Sequence, residues 1–184
     1  FRRDHFRDAG LDPSKPPRTW EELEEAARKL TESAPGRTGF AFSKGAGYHW
    51  SNFVFQAGGQ VVEVLPDGRT RAALASPAGE TAMEFFRKLT TQKWKDASGK
   101  SQGPAAVVTS QFKNDIRDGK VSMWFDYSGD VVTSMGASDL SPSVIGIAAM
   151  PSGPVSASHE INAGSWAINR QITDLESANR YLNS

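Results

Sequence analysis

FRRDHFRDAGLDPSKPPRTWEELEEAARKL, residues 1–30, sets the frame for the whole chain. A basic, strand-like start runs into an Ala-Gly-Leu-Asp-Pro turn and a Pro-Pro spacer, and a sharply bounded amphipathic helix follows. Thr19 suits the N-cap, and Glu22 occupies the third helical position, from which a carboxylate reaches back in the capping-box arrangement. Trp20, Leu23, Ala26, Ala27 and Leu30 fall on one face at helical spacing, with the glutamates and Arg28 opposite. On local physics alone this is a helix entering the core of a globular domain.

Working outward, the 184 residues suffice for a sizeable core and would ordinarily make one domain. Lys plus Arg and Asp plus Glu each number 21, and no window clusters four cations. That balance argues against a nucleic acid or an anionic membrane surface as the main partner, because phosphate binding needs a basic excess. The absence of cysteine removes disulfide frameworks, thiolate catalysis and Cys-ligated metal sites. No apolar run approaches the roughly 20 residues that cross a bilayer.

Strand and helix signals then alternate. Residues 38–42 read as a short buried strand, and a Gly-rich link leads into an aromatic helix over residues 48–57 that Gly58-Gly59 terminates. Residues 61–65 and 69–74 form a hairpin around Asp67-Gly68. Ser76-Pro77 starts a second clear helix, with Ala78, Ala82, Phe85, Phe86 and Leu89 as its buried stripe. Residues 97–104 read as a loop, 107–118 as a helix closed by Gly119, and 121–126 as a strand. A short helix over 129–135, strands over 144–149 and 165–169, and a helix over 174–182 complete the pattern. It predicts an α/β domain with a mixed, mostly parallel sheet flanked by helices.

Three places carry residues suited to chemistry. Tyr48, His49, Trp50 and Asn52 open the aromatic helix, and flat rings with hydrogen-bonding edges suit the apolar face and hydroxyl rim of a sugar. Phe53 and Phe55 read as packing, whereas Tyr48 and Trp50, beside glycines at a helix start, suit either core or cleft. Asp126, Tyr127 and Ser128 follow a buried strand, where open α/β sheets bind ligands. Asp126 there can accept sugar hydroxyls, or it and Ser128 can simply cap the next helix. Asp130 complements a helix dipole. The third place is Gly164-Ser165-Trp166, behind Asn162-Ala163, where small residues let backbone approach a ligand or a neighbouring strand.

Other chemistries find no pattern. There is no Gly-x-Ser-x-Gly elbow, no phosphate loop of the Walker type, and no third glycine after Gly45-Ala46-Gly47. His5, His49 and His159 lie far apart in sequence, without metal-ligand spacing, so no cofactor or metal is expected. Asp115 with Asp118, or Asp126 with Asp130, imitates a glycosidase pair, yet carboxylates three or four apart on a helix usually form a solvated face.

The ordered set of motifs resembles the extracellular solute-binding proteins of sugar-uptake ABC transporters. The opening thirty residues match that family's crossover into its second lobe. Gly39 to Phe42, Trp50 to Gly59, Ser76 to Phe85, Phe112 with Gly119 to Trp124, Met150 to Pro154 and Gly164 to Ile168 follow in family order. The resemblance implies the type II periplasmic-binding-protein fold and a non-enzymatic receptor that closes around a sugar or polyol and delivers it to ABC transporter permease subunits. It implies ligand contacts at Tyr48, His49 and Trp50, at Asp126, Tyr127 and Ser128, and at Gly164, Ser165 and Trp166. Ser165 stands where the family usually has a second glycine, and Tyr127 replaces a small residue, so the sugar's identity stays open.

In that family the crossover lies well inside the chain. Residues 1–184 are therefore expected to form a single second-lobe domain, without the first lobe or the returning C-terminal segment, and to hold half of a cleft. The implied location is the periplasmic or extracellular face of a bacterial cytoplasmic membrane. Membrane contact would run only through the permease or a lipid anchor outside this chain. A carbohydrate hydrolase using Asp126, a protein-interaction domain, and a receptor for a non-sugar solute such as a glycerophosphodiester, a polyamine or iron are the rival readings.

Overall fold

The computed structural model describes residues 1–45, 47–126, 143–160 and 171–182, without the side chains of 179, 181 and 182. In chain order the elements are α1 (Arg3–Asp8), α2 (Trp20–Glu32), β1 (Thr38–Ser43), α3 (Gly47–Gln56), β2 (Val62–Val64), β3 (Thr70–Ala72), α4 (Pro77–Thr91), β4 (Trp94–Lys95), β5 (Ser101–Gln102), β6 (Ala106–Thr109), α5 (Phe112–Arg117), β7 (Val121–Trp124) and α6 (Leu175–Leu182). β1 is the central strand of a parallel sheet ordered β6-β1-β7, while β2–β3 and β4–β5 are separate antiparallel hairpins. Four consecutive residues of β1 are buried, as a parallel strand covered on both faces requires.

α2 covers one face. Thr19 Oγ1 accepts the Glu22 N–H at 3.3 Å. The Glu22 carboxylate reaches back one residue further than the capping box expects, to the Arg18 N–H at 2.7 Å. Trp20, Leu23, Ala26, Ala27 and Leu30 are all buried, as their spacing predicts. The helix crosses β1 at Gly39, where a Cβ would run into the Ala27 carbonyl, and the Gly39 N–H donates to Thr31 Oγ1 at 2.9 Å. Trp20 stacks on Phe85 at 4.4 Å and meets Phe53 edge-on at 5.3 Å, while its Nε1–H donates to Gln56 Oε1 at 2.6 Å. α5 covers the other face, with Phe112 and Ile116 against Ala41 and Val121.

Several expectations need correction. The opening is not a strand beyond Arg2: α1 begins at Arg3 and turns His5 and Phe6 inward. It ends in a Schellman motif, with Leu11 N–H on the Phe6 carbonyl, Gly10 N–H on the Arg7 carbonyl and Gly10 at φ +69°. The helix expected over 107–118 is a strand followed by a short helix. Val107, Val108 and Thr109 are β-branched and pair with β1. Thr109 Oγ1 then accepts the Gln111 N–H and donates to Asp115 Oδ2, fixing the turn into α5.

The loop expected over 97–104 contains β5, because Asp96 gathers Ser98, Lys100 and Gln102 into a tight hairpin turn. Among the described residues, 144–149 make only one bridge, Ile145 with Arg2, because the partner chain leaves for α1 directly afterwards. Ala78 and Phe86 are half-buried, so the buried stripe of α4 is Ala82, Phe85 and Leu89. The helix expected over 129–135 and the strand over 165–169 fall outside the described residues.

Candidate functional site

The three parallel strands end side by side, with Ser43 paired to Thr109 and Ala41 to Trp124. From those ends the chain turns into α3, into α5 and into Phe125-Asp126. Ligands of open α/β sheets sit beyond such carboxyl ends.

His49 joins the three exits. It is 4 % exposed, its ring lies edge-on to Tyr48 at 4.5 Å, and Phe112 and Phe125 stand 5.9 and 6.4 Å away. Burial drives the imidazole down to about 4, so it is neutral at neutral pH. Its Nδ1 is buried and has no hydrogen-bond partner among the described residues. Tyr48 is 37 % exposed, and Trp124 and Asp126, at the exit of β7, are half-buried. Asp126 also borders a pocket of about 120 Å³ between the end of β7 and residues 145–151.

Trp50 lies on the β6 side, beside a pocket of about 280 Å³ with Phe42, Ser43 and Val108. Its Nε1 is buried and has no hydrogen-bond partner among the described residues. Asn52 is 6 % exposed, with its Nδ2 donating to the Tyr48 carbonyl at 2.8 Å and its Oδ1 accepting the Glu160 N–H at 2.6 Å.

Tyr48 and His49 thus stand together at the start of α3, Asp126 stands at the exit of β7, Trp50 lines the β6-side pocket, and Asn52 is tied into the scaffold. Tyr127, Ser128, Gly164, Ser165 and Trp166 lie outside the described residues. Sequence reasoning missed Phe112 as a support of His49 and Trp124 as a wall residue. The first was hidden because β6 and α5 read as one helix. The second was readable as the last residue of a buried strand.

Of the carboxylates that imitate a hydrolase pair, Asp115 and Asp118 are held by scaffold partners, and Asp130 lies outside the described residues. Asp115 accepts from Thr109 and faces Lys120, while Asp118 pairs with Lys120 and Arg117 at the opposite end of α5. Among the described residues no group of three His, Asp or Glu side chains suits a metal ion.

Comparison with known proteins gives short but clear sequence matches. Forty residues are 48% identical to the sn-glycerol-3-phosphate-binding periplasmic protein UgpB of Brucella abortus, and 45% identical to that of Agrobacterium fabrum. Those stretches span 22% of this chain and 9% of either relative.

An ABC transporter solute-binding protein from Thermotoga lettingae, solved with α-D-tagatose, matches 83% of this chain and 38% of its own, at TM-score 0.64 and 24% identity. UgpB from Mycobacterium tuberculosis, solved with glycerophosphocholine, matches 84% of this chain and 36% of its own, at TM-score 0.64 and 18% identity. The GacH receptor of Streptomyces glaucescens matches 85% and 37%, at TM-score 0.60 and 20% identity. At these identities the structures establish the fold alone, that of type II periplasmic binding proteins, and this chain spans less than two-fifths of each. The description "Bacterial extracellular solute-binding protein" matches residues 1–183, and the chain belongs to that family.

Proposed function

We propose that this chain forms one wall of the ligand cleft in the substrate-binding component of an ABC importer. The ligand is a sugar or polyol held between two lobes, of which residues 1–184 supply the second, and lobe closure presents it to the permease. The observation that carries this reading is the strand-end cluster. At the carboxyl ends of three parallel strands, Tyr48 lies against the buried neutral imidazole of His49. Trp124 and Asp126 stand at the exit of β7, so aromatic faces and a carboxylate share the strand-end edge. Rings stack on the apolar face of a sugar or polyol, and the carboxylate accepts from its hydroxyls. Tyr127, Ser128, Gly164, Ser165 and Trp166 complete the same wall in this reading.

The binding step involves no covalent chemistry. The site works at the periplasmic or extracellular face of the cytoplasmic membrane, and among the described residues no helix is long and apolar enough to cross a membrane.

The short matches to sn-glycerol-3-phosphate-binding proteins favour a second reading, a glycerol phosphate ester, which is itself a polyol derivative. Lys44, directly after β1, and Lys113, in the first turn of α5, stand at the strand-end edge of the sheet and would counter a phosphate.

Titration calorimetry on the protein encoded by the full reading frame tests both readings. The probes are D-tagatose, maltotetraose, sn-glycerol-3-phosphate and glycerophosphocholine. One probe is expected to bind, and Tyr48→Ala and Asp126→Asn to weaken it roughly tenfold or more, with melting temperature nearly unchanged. Turnover of a nitrophenyl glycoside, lost in Asp126→Asn, would overturn the receptor reading.

A further inference from the structure

Asn52 is placed where a ligand contact is expected, yet both ends of its amide are spent inside the protein. Its Nδ2 donates to the Tyr48 carbonyl and its Oδ1 accepts from the Glu160 N–H, 108 residues further along the chain. One helical turn later the same segment is fastened again. The Gln56 carbonyl accepts the Val155 and Ser156 N–H groups, both at 3.1 Å, and Ser156 Oγ donates to the Phe55 carbonyl at 3.1 Å. Gly153 makes the approach possible, since a Cβ there would stand 2.7 Å from the Gln56 Cβ.

The fastenings at Gln56 use carbonyls of the α3 backbone, so they survive most substitutions on that helix. The fastening nearest Tyr48 runs through a side chain that must donate and accept with one head, which an amide does.

We infer that Asn52 is a positioning residue. It locks the first turn of α3, with Tyr48 and His49, to the segment ending at Glu160, so the aromatic wall is presented as one rigid unit. Preorganisation of this kind raises affinity without any contact to the ligand. The inference rests on reading the strand-end edge as a ligand wall, but the clamp itself is testable without a ligand.

The experiment uses the protein of the full reading frame and three variants: Asn52→Leu, Asn52→Asp and Glu160→Pro. Amide exchange at Glu160 is measured for the unsubstituted protein and the two Asn52 variants, and binding of D-tagatose and sn-glycerol-3-phosphate for the unsubstituted protein and all three variants. Asn52→Leu keeps the volume and loses both bonds. Exchange at Glu160 should then rise roughly tenfold or more, and every probe that binds should weaken by a similar, common factor of about ten. Asn52→Asp keeps the acceptor and should leave Glu160 protected. Glu160→Pro removes the donor from the other side, so it should reproduce the affinity loss, and it decides the matter if Asn52→Leu does not fold.

Unchanged Glu160 exchange in Asn52→Leu would overturn the clamp. So would an affinity loss for only one of two probes that both bind, or full affinity in Glu160→Pro, because each marks Asn52 as a direct contact. If the unsubstituted protein binds neither probe, the receptor reading loses its support and Glu160 exchange alone decides the clamp.

Discussion

α2 and α3 pack into one core and are built on opposite principles. α2 is capped by Thr19, has Glu21 and Glu22 in its first turn and Lys29 in its last, and buries a single apolar stripe. Its exposed side is laced by Lys29–Glu25 at 2.7 Å, and Glu24 reaches across to Lys88 at 2.6 Å. α3 has no acidic residue in its first turn and no basic one in its last. Among the described residues, the buried side-chain nitrogens without partners are His49 Nδ1, Trp50 Nε1 and Gln56 Nε2, all on α3.

Buried polar groups normally find partners, and exceptions ask for a reason. For α2 every local signal points to the same fold. α3 leaves His49 Nδ1 and Trp50 Nε1 unspent at its start and Gln56 Nε2 at its end, so its local signals do not all agree.

The largest expected effect tests the scaffold side of this contrast. Trp20 is 5 % exposed, stacks on Phe85, meets Phe53 edge-on and satisfies half of the Gln56 amide. Trp20→Ala should lower unfolding free energy by about 3–5 kcal/mol in urea titrations. A loss below about 1 kcal/mol would mean that α2 does not organise the core.

Histidine titration gives the next effect and sharpens the contrast by pH. His49 on α3 and His5 on α1 both sit at about 4 in the folded chain against a usual 6.5. Burial is the main cause, and Arg37 and Arg2 add to it for His5. Between those values the unfolded chain binds protons that the folded chain refuses, so stability rises with pH across the window. It should be fully present above about pH 6.5 and fall by about 3 kcal/mol per histidine as the pH drops to 4. His49→Phe, which keeps a ring among Tyr48, Phe112 and Phe125, should remove about half of that fall. An unaltered pH profile of urea midpoints in His49→Phe would show that α3 does not carry a buried neutral imidazole.

The same contrast explains what is legible in the sequence. α2, α3, α4 and the β2–β3 hairpin can be read because caps, helix-ending glycines and an Asp-Gly turn are local signals. Ser76 Oγ, for instance, accepts the Gly79 N–H at 3.2 Å. α1 is masked by its mixed basic and aromatic start, although Ala9-Gly10-Leu11 holds the stop signal that gives it away. β6 merges with α5 because the separating turn is a single Thr109 hydroxyl shared between Gln111 and Asp115. At the site, Tyr48, His49 and Asp126 can be nominated from strand ends and helix starts. The bond from Asn52 to Glu160 cannot, since a contact across 108 residues leaves no local pattern.

The smallest effect concerns the cap of α2. The Thr19 bond to the Glu22 N–H is long at 3.3 Å, and it is one of several devices at that helix start. The Trp20 N–H goes to the Ser152 carbonyl at 3.1 Å, and the Arg18 N–H is held by Glu22 at 2.7 Å. Thr19→Ala therefore releases one donor near solvent while its neighbours stay satisfied. A loss of about 0.5–1 kcal/mol in urea titrations is expected, toward the lower part of the range for N-cap removal. Ligand affinity should not change, because the cap serves the scaffold helix. A loss above about 2 kcal/mol would mean that the hydroxyl also holds the parallel bridge between Thr19 and Ser152, and with it the segment that Gln56 fastens from the other side. In that case α2 and α3 would share one support, and the division of labour between them would fail.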